Sequence, residues 1–542
     1  MMHALAAALV VVISVDQMRY DYLQRFDAQF TTRGFKRFTT IGATYTNARP
    51  RHSVTSTGPG HASIAGGTVP AENGIVANRW LDRTVAFDRA KWDAYFAETT
   101  PYGPKPSSTP KTKWFESHTS PVFANVGALT PTLGDVLKKA SPQSKVVAFA
   151  LTDRAAILMG GKSSDATYWF DWREGGFTPR TSFNALVPGY IPASQQWSPL
   201  VPRATLEQIS FDPPAAWPLK NAQFNTTFPH PIANIRALQS TPFAHTMLFD
   251  FAQFLIDEHH LGEDDAPDLL YVGISSTDYL GHLYGPDSME VADSMVRLDR
   301  SLGGFLDALD RRFGDRVMVV LTADHGIQSL PEVAKLRDPH ADAGRIDLRV
   351  PQPDAQFIRD LPPARIEIER KLARTLHLPF SENAPLQHAL VFFFEEPTLY
   401  LNDARIAQLH LDRARVKRAL RDVVRTLDGV ANAWTNDDRE MPQLVRNTLH
   451  ATHSGDVVLT LRPGWIWMWG SNSTTHGQPV EADMHVPLMM YGRGIAHATC
   501  DNEASPLDLA RTLGDILGVD AGGRESHLLR CGSRLLYSDR TP

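Results

Sequence analysis

Four short runs of apolar residues constrain the fold of this chain more than any other feature. Residues 10–15, 145–151, 269–274 and 316–321 are rich in aliphatic side chains, and polar residues follow each run at once. Runs that are nearly continuous, and do not alternate with polar residues, are typical of parallel strands that are buried on both faces. The sequence therefore predicts a mostly parallel sheet with helices packed against each of its faces.

Helical patterns lie between these runs. Residues 246–259 and 288–311 carry apolar side chains at helical spacing. Pro131 and Pro506 each follow a hydroxyl residue, a pair that predicts the first turn of a helix. Alternation of strands and helices indicates an α/β sandwich with a mostly parallel central sheet and helices on both faces. In such folds, ligands bind at the carboxyl ends of the strands.

Two stretches interrupt the alternation. Residues 169–238 are rich in Pro, Trp, Phe and Asn and show weak periodicity. Residues 330–469 combine short strands with an arginine-rich amphipathic helix at 412–427, whose arginines we interpret as a solvated face. We interpret both stretches as inserted cap segments of a single catalytic domain that spans residues 1–542.

Charge, N-terminus and cysteines limit the function classes and the compartment. The net charge of -6 gives no general reason to expect nucleic-acid binding or a nucleic-acid scaffold role. Residues 4–15 are apolar but too short for a bilayer span, which takes about 20 residues. They lack a basic flank and a clear cleavage site, so we see no clear signal peptide and expect no membrane span. Cys500 and Cys531 are compatible with one disulfide or with two free thiols.

Carboxylates and imidazoles occur where predicted strands end, and one further imidazole lies in a turn-like stretch. The set consists of Asp16, Asp278, His282, Asp324, His325 and His476. Asp278 and His282 are four residues apart, which is one turn of a helix. Carboxylate and imidazole are ligands that suit zinc. Six such residues are enough for a site with two metal ions.

The pattern of residues 56–64 predicts a loop that is followed directly by a helix. Thr57 is expected just before this helix, where unpaired backbone N–H groups favour an anion. Its hydroxyl could attack a phosphoryl group there, or it could serve only as the helix cap. The sequence of this stretch alone is compatible with both roles.

Several motifs, taken together, resemble the alkaline phosphatase superfamily. They are Thr-Gly-Pro-Gly-His at 57–61, Asp-Tyr-Leu-Gly-His at 278–282, Asp-His-Gly at 324–326 and Thr-His-Gly at 475–477. The resemblance is strongest to the PafA type of phosphate-irrepressible alkaline phosphatase, and nucleotide pyrophosphatase/phosphodiesterases are similar too. It covers nearly the whole chain and is weakest in the two cap segments. It implies an alkaline-phosphatase-like sandwich.

The resemblance also implies a cofactor, a set of roles and a location. Two Zn²⁺ ions are expected, one held by Asp278, His282 and His476, the other by Asp16, Asp324, His325 and the Thr57 oxygen. Thr57 is then the nucleophile that forms a phosphothreonine intermediate. Asn78 corresponds to an asparagine that donates to a phosphoryl oxygen, although a plain turn residue is the alternative. The expected substrate is a small-molecule phosphate ester, and the expected location is periplasmic or secreted.

One departure from the family pattern concerns substrate charge. PafA-type monoesterases carry Lys-Asp-Arg after the strand that here ends at Leu151, whereas this chain has Thr152, Asp153 and Arg154. Arg154 can clamp a phosphate with two hydrogen bonds and favours a phosphomonoesterase of broad specificity. Loss of the lysine reduces the electrostatic stabilisation of a monoester dianion more than that of a diester. A phosphodiesterase or nucleotide pyrophosphatase is therefore the alternative, and a non-catalytic metal-binding protein is the remote one.

Overall fold

The computed structural model describes residues 7–81, 99–100, 103–104, 123–124, 128–211, 228–349, 356–468, 473–535 and 537. Thirteen strands of the described chain form its two larger sheets. They are β1 (Leu9–Val15), β2 (Ala43–Tyr45), β3 (Val146–Ala150), β4 (Ala166–Asp171), β5 (Gly176–Thr178), β6 (Asp268–Ile274), β7 (Val317–Thr322), β8 (Val391–Glu395), β9 (Thr398–Leu401), β10 (Val430–Thr435), β11 (Val457–Leu461), β12 (Leu488–Gly492) and β13 (Ala498–Cys500).

The α-helices of the described chain lie between and after these strands. They are α1 (Tyr22–Arg25), α2 (Phe35–Ile41), α3 (Thr57–Gly66), α4 (Pro70–Asn73), α5 (Leu133–Ala140), α6 (Asp153–Gly160), α7 (Arg203–Ile209), α8 (Ile235–Leu238), α9 (Phe243–Glu258), α10 (Ser276–Tyr284), α11 (Met289–Phe313), α12 (Pro331–Arg337), α13 (Pro363–Leu376), α14 (Asp403–Gln408), α15 (Arg413–Val424), α16 (Gln443–Arg446), α17 (Glu481–Met484) and α18 (Asp508–Leu517). None of them is long and apolar enough to cross a membrane.

Nine strands form the central sheet, in the order β13-β2-β12-β7-β1-β6-β3-β4-β5. The five strands from β7 to β4 run in parallel. β12 runs antiparallel to both β7 and β2, and β5 runs antiparallel to β4. The four apolar runs of the sequence are β1, β3, β6 and β7, in the middle of this sheet. The predicted α/β fold with a mostly parallel sheet is confirmed.

Both faces of the central sheet are buried. Leu9, Val11 and Ile13 of β1 belong to one apolar core, which helices α9 and α11 complete. Val10 and Val12 belong to a second core, which α3, α5, α6 and α18 complete. This arrangement explains why the strands are nearly continuous in apolar residues: every side chain of β1 is buried.

The two helix starts predicted from a proline are both wrong by two residues, and α18 begins at Asp508 and not at Pro506. The sequence predicts that a helix begins at Thr130 and Pro131, but α5 begins at Leu133. Thr132 is its N-cap, and the Thr132 Oγ1 accepts a hydrogen bond from the N–H of Asp135. The Asp135 carboxylate in turn accepts the N–H of Thr132, which completes a capping box. The reciprocal pair satisfies two N–H groups and therefore determines where the helix begins.

The boundary of the first predicted cap segment, 169–238, also needs correction. Residues 169–171 are part of β4 and residues 176–178 are β5, so its beginning belongs to the central sheet. Phe177 and Phe183 pack in the main core beside α9. Aromatic residues are common in strands as well as in irregular segments, which is why composition alone misplaced the boundary. Residues 212–227 of this segment lie outside the described residues.

The second predicted segment, 330–469, contains a sheet and a core of its own. Its strands pair antiparallel in the order β8-β9-β11-β10, and helices α13 and α15 pack against them. The predicted helix at 412–427 is α15, with Asp412 as its N-cap. We call residues 346–467, which bound this core, the cap unit. Residues 350–355 and 469 lie outside the described residues.

The two cysteines form a disulfide. Cys500 ends β13, and Cys531 lies in a short two-stranded ribbon near the C-terminus. Of the two states that the sequence left open, the structure has the bridged one.

Candidate active site

Three adjacent strands bring the predicted carboxylates together. β1 lies between β7 and β6, and all three end at the same edge of the sheet. Asp16 follows β1, Asp324 follows β7, and Asp278 lies in the first turn of α10, directly after β6. All three carboxylates are buried. The position matches the expected one, since parallel strands present their carboxyl ends to a common site.

Imidazoles complete two groups of possible metal ligands. Asp16, Asp324 and His325 form one group, and Asp278, His325 and His476 form the other, with the ligand atoms of each group within 4.8 Å of one another. His325 Nε2 lies 3.3 Å from Asp324 Oδ2 and 3.6 Å from Asp16 Oδ1. His325 is thus shared between the groups, whereas the resemblance places it in only one of them.

His282 lies beside the second group, close to Asp278 and His476. On helix α10, His282 Nε2 lies 3.3 Å from Asp278 Oδ1, one turn away as the spacing predicts. His476 Nε2 lies 3.6 Å from the same oxygen. The rings of His282 and His476 are 5.0 Å apart, centroid to centroid. All six predicted ligands therefore meet at one place.

Backbone carbonyls orient the three imidazoles. In each ring, Nδ1 bonds a carbonyl oxygen and leaves Nε2 facing the carboxylates. The acceptors are the carbonyl oxygens of Gly326 for His325, Thr474 for His282 and Thr55 for His476, at 2.9, 2.9 and 2.6 Å. Bonds of this kind hold the tautomer whose Nε2 lone pair can bind a metal.

Burial shifts the titration of this cluster strongly. It raises the pKa of the Asp16 carboxyl, which the Asp324 and Asp278 carboxylates raise further. Burial also raises the pKa of the Asp324 carboxyl to about 7. The pKa values of His325 and His476 are both well below the usual one, mainly because the rings are buried. The imidazoles of His325 and His476 are therefore neutral near pH 7, the state in which they bind metals.

Several buried polar atoms of the cluster have no hydrogen-bond partner among the residues that the structure describes. They are both carboxylate oxygens of Asp16, Oδ2 of Asp324, Nε2 of His325 and Nε2 of His61. An unpaired buried charge is costly, and buried carboxylates are normally paired or coordinate a metal. The donor set of carboxylate oxygens and imidazole nitrogens therefore fits divalent cations.

Helix α3 carries Thr57 to this cluster. Gly60 lies against Asp324, and a side chain at position 60 would collide with that residue. His61 Nδ1 lies 3.1 Å from Asp324 Oδ2 and 2.9 Å from the Thr57 carbonyl oxygen. Thr57 is the first residue of the helix and not the residue before it, because Ser56 is the N-cap. The expectation that Thr57 precedes the helix is wrong by one residue, and the capping position belongs to Ser56.

Asn78 lies beside the N-terminus of α3. Its Oδ1 accepts a hydrogen bond of 2.8 Å from the N–H of Gly58, the residue after Thr57. This bond uses the amide oxygen and leaves the NH₂ group of Asn78 as the donor for a ligand. Asn78 is half-buried, so that group is accessible to a small molecule.

Thr152 and Arg154 begin helix α6, which packs against α3. Thr152 is the N-cap residue, but its hydroxyl makes no capping bond and is buried without a partner in the described chain. Arg154 is half-buried, and its guanidinium has no ion pair with any described residue. Its charge still lowers the pKa of His61 and His325. An unpaired cation near the cluster is what an anionic substrate requires.

Two residues of this region were missed in the sequence. Gln17 links the groups: its N–H donates to Asp324 Oδ1 at 3.2 Å and its side-chain Nε2 to Asp278 Oδ1 at 2.5 Å. Its φ of 67° is in the left-handed region, which a residue other than glycine occupies at a cost. A side chain at position 281 would collide with Gln17, which explains the glycine before His282. His61, described above, is the second: it ends the motif at 57–61, which marked the position without assigning it a role.

The cap unit also reaches the site, through the β8–β9 hairpin. Glu395 ends β8 and pairs with Arg79, with 2.8 Å between Oε2 and the arginine Nε. The next residue, Glu396, lies against Gly477, where any side chain would collide with its carboxylate. The hairpin therefore contacts residues next to both Asn78 and His476.

Comparison with known proteins finds relatives over nearly the whole chain. The chain is 30% identical to alkaline phosphatase PhoV of Synechococcus elongatus over 539 residues, which cover 94% of this chain and 90% of that protein. It is 28% identical to alkaline phosphatase PafA of Elizabethkingia meningoseptica, over 94% of this chain and 91% of that protein.

A solved structure gives the same result. The crystal structure of wild-type alkaline phosphatase PafA superposes with a TM-score of 0.79 at 26% identity, covering 95% of this chain and 96% of that chain. The family model for type I phosphodiesterase / nucleotide pyrophosphatase matches residues 10–483. With these matches and the assembled motif residues, the chain belongs to the type I phosphodiesterase / nucleotide pyrophosphatase family.

Proposed function

We propose that this protein is a zinc-dependent phosphate-ester hydrolase of the alkaline phosphatase type, a phosphomonoesterase of broad specificity. One observation carries the proposal: two groups of buried carboxylates and imidazoles lie against the helix that begins at Thr57, and several of their polar atoms have no hydrogen-bond partner in the described chain. The alkaline phosphatases to which the chain is similar support the reaction class.

Two divalent cations would be held by the predicted ligands. Asp16, Asp324 and His325 would hold one together with the Thr57 oxygen, and Asp278, His282 and His476 the other. When bound, they supply Lewis acidity that lowers the pKa of a coordinated hydroxyl and stabilises a leaving alkoxide. The mixture of oxygen and nitrogen donors favours zinc over magnesium or calcium, which prefer oxygen alone.

The chain's own groups then bind and attack the phosphoryl group. The Thr57 hydroxyl is the nucleophile and becomes a phosphothreonine, which water hydrolyses in a second step. The NH₂ of Asn78 donates to a non-bridging oxygen, and the Arg154 guanidinium forms paired hydrogen bonds to the others. The N-terminus of α3 adds a partial positive charge at the same place. These donors act where negative charge develops, so they lower the barrier.

Arg154 favours monoesters, which carry more negative charge than diesters. Thr152 supplies a hydroxyl in place of the family lysine, and this hydroxyl, which has no partner among the described residues, can hydrogen-bond a phosphoryl oxygen. At positions 152 and 154 the chain therefore offers one full positive charge, where the Lys-Asp-Arg of a PafA-type site offers two. We also propose a periplasmic or secreted location, because the Cys500–Cys531 disulfide favours an oxidising compartment.

The test compares an aryl phosphate monoester with an aryl phosphate diester on zinc-loaded protein. We expect a higher kcat/KM for the monoester and a metal content of two zinc ions per chain. Thr57→Ala should reduce kcat by at least about 10³-fold while the metal content falls by no more than half. Thr57→Ser should retain part of the activity, because it keeps the hydroxyl.

Two other results of this test would indicate a different function. A large preference for the diester would make the protein a phosphodiesterase on the same metals. Binding of fewer than two zinc ions without turnover of either ester would indicate a non-catalytic metal-binding protein.

A further inference from the structure

Thr55 connects the segment that leads into the Thr57 helix to the turn that carries His476. It lies two residues before Thr57 and is fully buried. Its carbonyl oxygen bonds Nδ1 of His476 at 2.6 Å. Its hydroxyl oxygen accepts the N–H of Gly477 at 3.1 Å, and the hydroxyl donates to the carbonyl oxygen of Gln478 at 3.0 Å. One residue therefore bonds three consecutive residues that lie 421 to 423 positions later in the chain.

The turn after His476 depends on these bonds because its backbone is in an unusual conformation. Gly477 has a φ of 109°, which lies in the region that favours glycine. A buried N–H without an acceptor costs free energy, and the Thr55 hydroxyl supplies the acceptor for Gly477. A hydroxyl has one proton to donate and two lone pairs, so Thr55 can bond Gly477 and Gln478 at the same time.

Asp483 supports the end of the same turn. Its Oδ2 accepts the N–H of Gln478 at 2.9 Å and lies 3.4 Å from the Thr55 hydroxyl oxygen. This carboxylate thus anchors the residue two positions after His476, whereas Thr55 bonds His476 and Gly477 themselves. Thr55 therefore acts on the predicted ligand and on the residue beside it.

We propose that Thr55 is a positioning residue whose hydroxyl holds the turn at 475–477, so that His476 presents Nε2 to a cation. This inference rests on the proposed function, because the cation is one of the two that the hydrolase would hold. The carbonyl bond fixes the tautomer of the ring, and the hydroxyl fixes the backbone that carries the ring. Because Thr55 and Thr57 belong to one short segment, the same bonds hold the nucleophile and His476 in a fixed relation.

Thr55→Val removes the hydroxyl with little change in shape and keeps the carbonyl bond to His476. We expect the dissociation constant of one of the two zinc ions to rise on the order of tenfold, since loss of a group that orients a ligand typically costs this much metal affinity. The other zinc ion, held by Asp16 and Asp324, should keep its wild-type affinity. Calorimetric titration of metal-free protein with zinc, in the presence of a competing chelator, measures both constants.

Three further variants separate positioning from stability. Thr55→Ser keeps the hydroxyl and should retain both wild-type zinc affinities. Thr55→Ala removes it in a smaller side chain and provides the same test if the valine variant does not fold. Thr512→Val removes another buried hydroxyl, which accepts the N–H of Leu529 at 2.9 Å on helix α18. This control should lower the melting temperature without changing either zinc affinity.

The outcomes are distinguishable from failure of the proposed function. If the wild type binds two zinc ions but hydrolyses neither ester, the hydrolase proposal fails, and the zinc affinities still test Thr55. If the wild type is active but Thr55→Val binds both zinc ions with wild-type affinity, the inference is wrong. Equal weakening of both zinc ions would also overturn it, because the hydroxyl would then support the whole cluster and not His476. A wild type that binds fewer than two zinc ions would overturn both proposals.

Discussion

At the scale of single residues, Thr152 is an uncharged side chain two positions before Arg154. It is the N-cap of α6, its side chain is buried, and its hydroxyl has no partner in the described chain. A capping residue normally bonds an N–H of the first turn. Since Thr152 makes no such bond, its hydroxyl is available to a ligand.

Replacing this threonine by lysine should restore a second cation. For Thr152→Lys we expect the monoester to diester ratio of kcat/KM to rise by a factor on the order of ten, because the dianion gains more from an added positive charge. The measurement is steady-state kinetics on both esters with zinc-loaded protein.

Thr152→Met is the matched control, because methionine has similar length but no charge. If the two variants change the ratio equally, side-chain size is responsible and not charge. An unchanged ratio in the lysine variant would mean that position 152 does not face the phosphoryl group.

At the scale of helices and strands, one buried histidine ties three helices together. His245 on α9 bonds the Ser276 hydroxyl at the start of α10 through Nδ1, at 2.6 Å, and the Ser294 hydroxyl on α11 through Nε2, at 2.7 Å. Helix α10 carries Asp278 and His282, so this network holds two of the predicted ligands in place. Burial lowers the pKa of His245 to about 3.

The shift makes this network sensitive to acid. An unfolded histidine takes up a proton near its usual pKa of 6.5, whereas folded His245 does so near 3. Between these values the unfolded state binds more protons, so stability falls as the pH decreases from about 6.5 towards 3. This one group should cost about 2 kcal/mol at pH 5 relative to pH 7.5.

His245→Gln removes the titrating group, and its acid-induced loss of stability should be smaller than that of the wild type. Thermal unfolding at pH 7.5 and pH 5 with excess chelator measures the difference without a contribution from metal. His340→Gln, at an exposed position, should show the wild-type pH dependence. An equal acid-induced loss in His245→Gln and wild type would contradict the assignment.

Element positions could be predicted well where the signal is local, and less well elsewhere. The four apolar runs predicted β1, β3, β6 and β7. A strand that is buried on both faces is nearly continuous in apolar residues, so its own sequence is enough to identify it. The start of α5 and the strand β4 were misplaced, since a capping box competes with a first-turn proline and aromatic residues suit several environments.

The candidate site divides in the same way. Asp278 and His282 have a spacing that the helix explains, and Asp324 and His325 directly follow a strand. Gln17 and Glu395 contact residues that are distant in sequence. Such contacts depend on how the sheet and the cap unit are assembled, so no local pattern predicts them.

At the scale of the whole molecule, the metal groups should couple stability to cation supply. The carboxylates and imidazoles of the two groups come from four separate parts of the chain, so bound cations would connect these parts and be released on unfolding. At a free zinc concentration about 1,000 times the dissociation constant, binding contributes about 4 kcal/mol. Removal of zinc by chelation should therefore lower the melting temperature substantially.

The size of that effect should depend on pH. Burial raises the pKa of Asp324 to about 7, so between about pH 4 and pH 7 this carboxyl binds a proton in the folded, metal-free protein more than it does in the unfolded chain. The contribution of this one group to stability therefore falls as the pH rises through the window, opposite in sign to that of His245. Metal binding requires the deprotonated carboxylate and reverses the trend.

We expect the difference in melting temperature between zinc-loaded and chelated protein to be larger at pH 8 than at pH 6. Differential scanning calorimetry of both forms measures it, and Glu382→Gln, which removes an exposed carboxylate of the cap unit, should behave as the wild type does. A difference that shrinks as the pH rises would show that the ligands do not exchange protons for metal.

The position of β2 has a consequence for how the chain is made. In the described chain β2 pairs only with β12 and β13, so Ala43 has Met490 and Ala498 as its neighbours. During synthesis from the N-terminus, both edges of β2 stay unpaired until the ribosome has produced almost the entire chain. A chain that stopped just after His476 would contain every predicted ligand and the nucleophile. It would still lack both partners of the strand that leads into the Thr57 helix.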